Sequence, residues 1–430
     1  MKAIYDQPLP DGWAEEPLGK AVVTRRGYTW EKADEVDRAE ADTVPVIRIP
    51  NVQDTLDLTD LIHLRNVSPE ALEKAAVTKD WLLFVGSNGT QDRIGDSVLI
   101  EEDRPMVFAS FLMGIQPKDQ GRLRSDFFAH WMRMHLVHEI FSKTSQQTTG
   151  LANFSWGAVK KLPVRFPTCV DEQRRIAAAI KLADDAIQKA RAELDATRAL
   201  KRSLLNELLE KGLPGCHSSF IETKRLSYPE SWTLTKLKKC GTWSAGGTPD
   251  RENVGYYEGS IPWVKSGEVN YSVIVETEEH LSEDGAKQTT CGVLPVGTLL
   301  IAMYGAGVTR GRVALLGIQA STNQAVATFN GHEGVENEFV YYWFERNYER
   351  VRAWAAGSNQ DNLSGYLLKN LQIALPNHDE QIEIVKVLKA ADSAICAIQD
   401  RVATLLELKR SLLQNLLTGK IRIPEGAIHA

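Results

Sequence analysis

Between residues 171 and 212 the apolar and small side chains fall at Ile176, Ile180, Ala183, Ile187, Ala190, Leu194 and Thr197, in alternating steps of four and three. That spacing is the seam of a coiled coil. The same seam returns at Ile384, Leu388, Ala391, Ile395, Ile398, Val402 and Leu405, and then passes through Leu408, Leu412 and Leu416 with a change of step that reads as a register break. The two stretches are copies of one another at an offset of 208. Asp171-Glu172-Gln173 recurs as Asp379-Glu380-Gln381, Ala183-Asp184 as Ala391-Asp392, and Leu200-Lys201-Arg202-Ser203-Leu204-Leu205 as Leu408-Lys409-Arg410-Ser411-Leu412-Leu413. In all, 17 of the 42 paired positions are identical without a gap. Each copy predicts one long helix, with Asp171 and Asp379 as N-caps and Gly212 and Gly419 as stops before Pro214 and Pro424. At ~1.5 Å per residue, such helices are rods of roughly 60 Å. Duplication at constant offset favours two equivalent rods packed on each other over two unrelated pieces of core.

The regions before the rods repeat more loosely. Pro10-Asp11-Gly12-Trp13 with Leu18 parallels Pro229-Glu230-Ser231-Trp232 with Leu237, and Asp126-Phe127-Phe128 with Trp131 parallels Glu338-Phe339-Val340 with Trp343. Asn153-Phe154-Ser155 parallels Asn362-Leu363-Ser364, and Lys160 through Pro167 parallels Lys369 through Pro376. The offset drifts from 219 through 212 and 209 to 208, so loops of different length interrupt a shared scaffold. Short β-rich runs at 80–85 and 297–302 and helical patterns near 126–142 and 337–354 make these regions mixed globules. The expected fold class is α+β: two mixed α/β globules separated by two long helices that form an antiparallel coiled coil, with pseudo-twofold repetition. The expected boundaries are 1–165 for the first globule, 166–212 for the first rod, 213–376 for the second globule, 377–420 for the second rod and 421–430 for a tail.

Composition narrows the function. The 430 residues carry 43% hydrophobic and 25% charged side chains, the balance of a folded protein with more than one core. No apolar run approaches the ~18 residues of a membrane span, and the first residues lack the apolar core of a signal peptide. Cytoplasmic location is the expectation. The five cysteines are scattered and never form CxxC, which excludes a zinc ribbon and fits a reducing compartment. Net charge is −6 overall and −4, +1, −3 and zero for 1–170, 171–212, 213–378 and 379–430. No segment is a polycation that would coat DNA, although basic residues gathered on one face would still read it.

Catalytic patterns are missing. Phe84-Val85-Gly86-Ser87-Asn88-Gly89 and Gly305-Ala306-Gly307 follow strand-like runs, as cofactor loops do, but neither leads into a helical pattern. There is no GxxxxGK[ST] and no Pro-Pro dipeptide, and Asp250 with Glu252 lacks the lysine of a nuclease site. His135 and His138 share a helical face without an evident third ligand, so structural histidines are favoured over a metal site. The chain is expected to be non-catalytic. A methyltransferase or nuclease in its own right, and a coiled-coil scaffold without a DNA role, are the competing classes. Binding of S-adenosylmethionine by the isolated chain, or failure to shift DNA with partners present, would favour them.

Two similar but non-identical globules on two rods suit recognition of two different half-sites at a fixed distance. The candidate DNA-contacting residues are Arg25, Arg26, Tyr28, Arg48, Ser87, Asn88 and Arg93 in the first globule. In the second they are Thr248, Arg251, Lys265, Tyr304, Arg310 and Arg312. Arginine and lysine pair with guanine edges, asparagine with adenine, and all of them hold phosphates.

With the duplicated helices, the Pro-x-x-Trp…Leu openings, and Gly247-Thr248-Pro249 followed by Gly259-Ser260-Ile261-Pro262-Trp263-Val264, the sequence resembles the specificity subunit of a type I restriction-modification system. The resemblance covers nearly the whole chain. The first globule departs from it in having Gly27-Tyr28-Thr29 where the second has Gly-Thr-Pro. The resemblance implies that each globule is a target recognition domain reading one half of a bipartite DNA sequence, while the helices act as a ruler for the unread gap. It also implies two modification subunits that bind S-adenosylmethionine and methylate adenine, with restriction subunits that use ATP and Mg able to join them. No cofactor is expected on this chain. The exposed faces near Arg174, Arg175, Lys201, Arg202, Lys409 and Arg410 are the expected partner-docking surface.

Overall fold

The computed structural model describes residues 5–148, 151–153, 155–223, 226–305, 308–356 and 362–426. The chain divides into two compact units, one of residues 1–191 with 400–430 and one of residues 192–399. The division falls inside the rods. Each unit therefore holds one globule, the first part of the rod that follows it, and the last part of the other rod.

The rods are helices of 42 and 39 residues, Val170–Lys211 and His378–Leu416. They begin one residue before the aspartates expected to cap them. At the second rod the cap is Asn377, whose side-chain oxygen accepts from the Glu380 amide at 2.9 Å. Asp171 and Asp379 lie instead in the first turns, where a negative charge suits the helix dipole. The second rod ends at Leu416, and Gly419 follows with φ +70°.

In the first unit a four-stranded antiparallel sheet has the order 22–26, 112–117, 82–85, 97–99. A five-stranded mixed sheet has the order 35–36, 62–64, 44–47, 104–108, 76–77, and its 44–47 and 104–108 strands run parallel. Strand 13–17 pairs with 163–167, closing the globule where it meets the rod. The helical pattern near 126–142 is two helices, Ser125–Met132 and His135–Lys143, broken at Arg133-Met134. Phe127, Phe128, Trp131 and Phe141 bury themselves in one core with Ile176 and Ile180 of the first rod and Leu413, Leu416 and Leu417 at the end of the second.

The second unit repeats the frame. Its sheet order is 241–245, 326–331, 299–302, 313–316, 273–274, and a smaller sheet joins 279–281, 261–264 and 321–322. Strand 233–236 pairs with 372–375, as 13–17 pairs with 163–167. Its helices Asn337–Arg346 and Tyr348–Ala356 correspond to the broken pair of the first unit. Phe339, Trp343 and Phe344 share a core with Leu205, Leu208 and Leu209 of the first rod and Ile384, Val385 and Leu388 of the second. In both units the start of one rod thus packs beside the end of the other, which is antiparallel pairing.

Candidate DNA-recognition and partner-docking sites

The duplicated motifs have separate structural jobs. Gln173 and Gln381 are buried, and each makes the same three hydrogen bonds. The Gln173 amide nitrogen donates to the carbonyls of Arg122 and Pro167, both at 2.7 Å, and its oxygen accepts from the Arg124 amide at 2.9 Å. The Gln381 amide nitrogen donates to Gly334 and Pro376, both at 3.0 Å, and its oxygen accepts from the Glu336 amide at 2.9 Å. Each glutamine fastens its rod to the loop leading into the globule's main helix. The neighbouring glutamates are also buried, but their partners differ. Glu172 accepts from Arg422, at 2.8 Å from Nε, whereas Glu380 accepts from the Trp232 indole at 3.1 Å and lies 2.7 Å from His217 Nε2.

Lys201 and Lys409 do not lie on exposed faces, and here the expected docking set is corrected. Lys201 Nζ is 2.6 Å from both Glu345 and Asp392, and Lys409 Nζ is 2.6 Å from Asp184. Since 184 and 392 differ by the same 208 as 201 and 409, the pairs are reciprocal: each rod's lysine meets the other rod's aspartate. The lysines take seam positions. Leu200 and Leu408 turn outward instead, 56% and 48% exposed, so the expected seam through Leu408 is shifted by one residue. Arg174 is exposed and pairs with Asp171, Arg175 is half-buried, and Arg202 and Arg410 are exposed.

Around each reciprocal pair the globules place different charges. Tyr342 donates to Asp392 at 2.8 Å beside Lys201, and burial raises the pKa of Glu345. At the matching positions of the first unit, offset by 212, stand His130 and Arg133. Burial, with Arg133 and Lys409 nearby, pulls the His130 pKa down to about 3, so the imidazole is neutral. Desolvation likewise lowers Arg133.

The candidate loops sit on equivalent frame positions. A Cβ on Gly27 would lie 2.1 Å from the Ala109 carbonyl oxygen, and one on Gly246 2.0 Å from that of Thr322, so both positions require glycine. Arg48 and Lys265 both precede a short 3-10 turn, their amides donating to Asn51 at 2.8 Å and Glu268 at 2.6 Å. Gly95 (φ +99°) and Gly311 (φ +89°) donate to Val85 and Ala302 at the same point of the sheet. The next residue is Asp96 in one unit and Arg312 in the other, a reversal of charge on one scaffold.

Among the candidates of the first globule, Arg25 is a packing residue. Its guanidinium lies 3.8 Å from the Trp81 ring centre and donates to Ala76 and Thr78, and burial lowers its pKa to about 10. It is half-buried on the edge strand 22–26 and already partnered, so it is not a free loop cation. Arg26 is exposed and Tyr28 stacks on Trp30. Arg48 pairs with Asp60, and Arg93 pairs with Asp96 while donating to the Val52 carbonyl. Ser87 donates to Asn153, and Asn88 to Thr90.

In the second globule Arg251 and Lys265 converge on Glu279 at 2.6 and 3.1 Å, and Arg251 lies over the rings of Tyr257 and Trp263. Glu279 holds Arg251 above its ordinary pKa, and Glu278 followed by Glu279 does the same for Lys265. Thr248 donates to Gln324. Tyr304 is 40% exposed, Arg310 and Arg312 are half-buried, and Arg312 donates to Asn270 at 2.6 Å. Sequence reasoning missed Arg352, which donates to the Arg310 carbonyl and to Tyr348, and Tyr271, whose ring lies against Tyr348. Ala306 and Gly307 of the second glycine cluster lie outside the described residues. Among the described residues no group of three or more His, Cys, Asp or Glu side chains could hold a metal, and no helix is long and apolar enough to cross a membrane.

A duplicated reader frame with divergent loops, on reciprocally paired rods, agrees with known proteins. Residues 229–407 match the family model of the type I restriction modification DNA specificity domain. The matched segment, the second globule with most of the second rod, is similar to a type I specificity domain. The chain is 23% identical over 426 residues to the putative type I restriction enzyme MjaX specificity subunit of Methanocaldococcus jannaschii, covering 96% of this chain and 95% of that one. The EcoR124I/EcoR124II specificity subunit of Escherichia coli is 22% identical over 297 residues, 68% of this chain and 69% of the other. The crystal structure of the type I S subunit from M. genitalium shares the fold with a TM-score of 0.61 at 13% identity, covering 96% and 98% of the two chains.

Proposed function

We propose that this specificity subunit reads a bipartite DNA motif, each globule one half, and seats two adenine-methylating modification subunits on it without carrying out chemistry itself. The observation that carries the bipartite reading is the shared frame with unlike loops. Gly95-Asp96 and Gly311-Arg312 stand at the end of the same strand of the shared sheet with opposite charge, so the two globules present unlike side chains from one frame. Arg251, Lys265, Tyr304, Arg310 and Arg312 form the reading surface of the second globule, and Arg26, Tyr28, Arg48, Ser87, Asn88 and Arg93 that of the first. The carboxylate partners of Arg48, Arg93, Arg251 and Lys265 hold those cations in place and give way to phosphates or guanine edges.

Docking of two copies of one partner follows from residues identical in both rods and unused by the fold. Leu200, Arg202 and Ser203, and likewise Leu408, Arg410 and Ser411, are exposed. The leucines leave about half of their surface open to solvent, so their identity at offset 208 fits two equivalent seats. S-adenosylmethionine then belongs to the modification subunits, and ATP with Mg to any restriction subunits that join. Cytoplasmic DNA is the substrate. Mapping methylated adenines in cells carrying this chain and its modification partner tests the reading: a two-part motif with an unread gap is expected, and a single continuous motif would overturn it.

A further inference from the structure

We propose that a cleft within the first unit, between its globule and the end of the second rod, grips a DNA phosphodiester without regard to base sequence. The inference rests on the DNA-recognition reading above and adds a site to it. The cleft has a volume of about 970 Å³. Its cations outnumber the carboxylates free to answer them. Asp54 is engaged by Arg191 at 3.2 Å, and Asp96 by Arg93 and His138 at 3.0 Å each. Arg133 donates only to backbone carbonyls, those of Ser97 and Asp54, at 2.9–3.3 Å. Arg410 and Lys420 make no hydrogen bond or ion pair with any described residue. Three cations without a carboxylate partner thus face one opening, with Asp6 as the only carboxylate lining it that lacks a cation. A guanidinium held only by carbonyl dipoles has no carboxylate to offset its charge, and an external anion would do so.

The second unit has closed the corresponding place with its own ion pairs. Arg133 and Met134 correspond to Glu345 and Arg346, and Gln414 and Thr418 to Asn206 and Glu210. There Arg346 spans the groove to Glu210 at 2.5 Å and to Asn206 at 3.2 Å, and Glu345 takes Lys201. The substitutions in the first unit remove every one of these carboxylates. The phosphate grip is therefore one-sided, and it gives the subunit a sequence-independent anchor beside the half-site read by the first globule.

The test uses the assembled complex with its modification partner. DNA affinity is measured against salt concentration for the wild type and for Lys420→Gln, on specific and scrambled duplexes. Each phosphate contact contributes about 0.9 to the slope of log affinity on log salt. The slope is expected to fall by about one for Lys420→Gln, equally on both duplexes, with the methylated motif unchanged. An unchanged slope in an intact complex overturns the proposal. So does loss of the partner from the variant before DNA is added, as read by light scattering, because the cleft would then hold a protein segment. A wild-type complex that does not distinguish specific from scrambled DNA would instead remove the recognition reading on which the site rests.

Discussion

Lys201 and Lys409 take positions that heptad spacing assigns to an apolar residue, and each finds an aspartate of the other rod. Removing one member of a fully buried ion pair costs roughly 3–5 kcal/mol, because the other charge is left without its partner. The Asp392 side chain is 38% exposed, which screens part of that cost. Lys201→Met is therefore expected to destabilise by about 2 kcal/mol, seen as a lower urea midpoint with the same slope. Lys409→Met, with one carboxylate partner instead of two, should cost less. His130 supplies a pH dependence. Its folded pKa of about 3 lies below the ordinary histidine value of 6.5, so the unfolded chain binds the proton first. Stability is intact above about pH 6.5 and falls by up to about 1.4 kcal/mol per pH unit between there and pH 3. Thermal melts from pH 8 to 5 should show a steeper decline for the wild type than for His130→Gln. Neither residue's role is legible from the helix it sits on. The partner lies far away in sequence, and although the offset of 212 that matches Trp131 with Trp343 sets His130 against Tyr342 and Arg133 against Glu345, it does not say what either side chain touches.

At the scale of elements, the rods were readable almost to the residue, because a four-three apolar rhythm over forty residues has no competing conformation. The strands at 82–85 and 299–302 were equally plain as fully buried apolar runs. The helix pattern near 126–142 concealed a break at Arg133-Met134, since the apolar face of the second helix resumes almost in phase with the first. Asp-Glu-Gln looked like a capping signal and is a joint instead. Gln381→Leu leaves the Glu336 amide and two carbonyls without a partner in a buried place, and an unsatisfied buried group costs about 1–3 kcal/mol. The variant should unfold several degrees below wild type in calorimetry, and Gln173→Leu should behave alike. The loops were the least legible elements. Their cations were identifiable by type, but which of them the fold consumes, as it does Arg25, depends on the distant Trp81.

At the scale of the whole molecule the account asks for two partner seats and two independent readers. Leu200→Asp and Leu408→Asp place a charge on exposed positions and should change unfolding by less than about 0.5 kcal/mol. Each is expected to lower the number of modification subunits bound from two to one, and the double variant to none, by size exclusion with light scattering. Independence of the readers follows from separate globular cores and from loops that differ on a common frame. The most direct measurement is a methylome. Residues 1–165 are replaced by the equivalent segment of another specificity subunit, and methylated adenines are mapped in a host that supplies the modification partner. The account predicts a motif in which one half is replaced and the other half is kept base for base. A change in both halves, in an active complex, would contradict it.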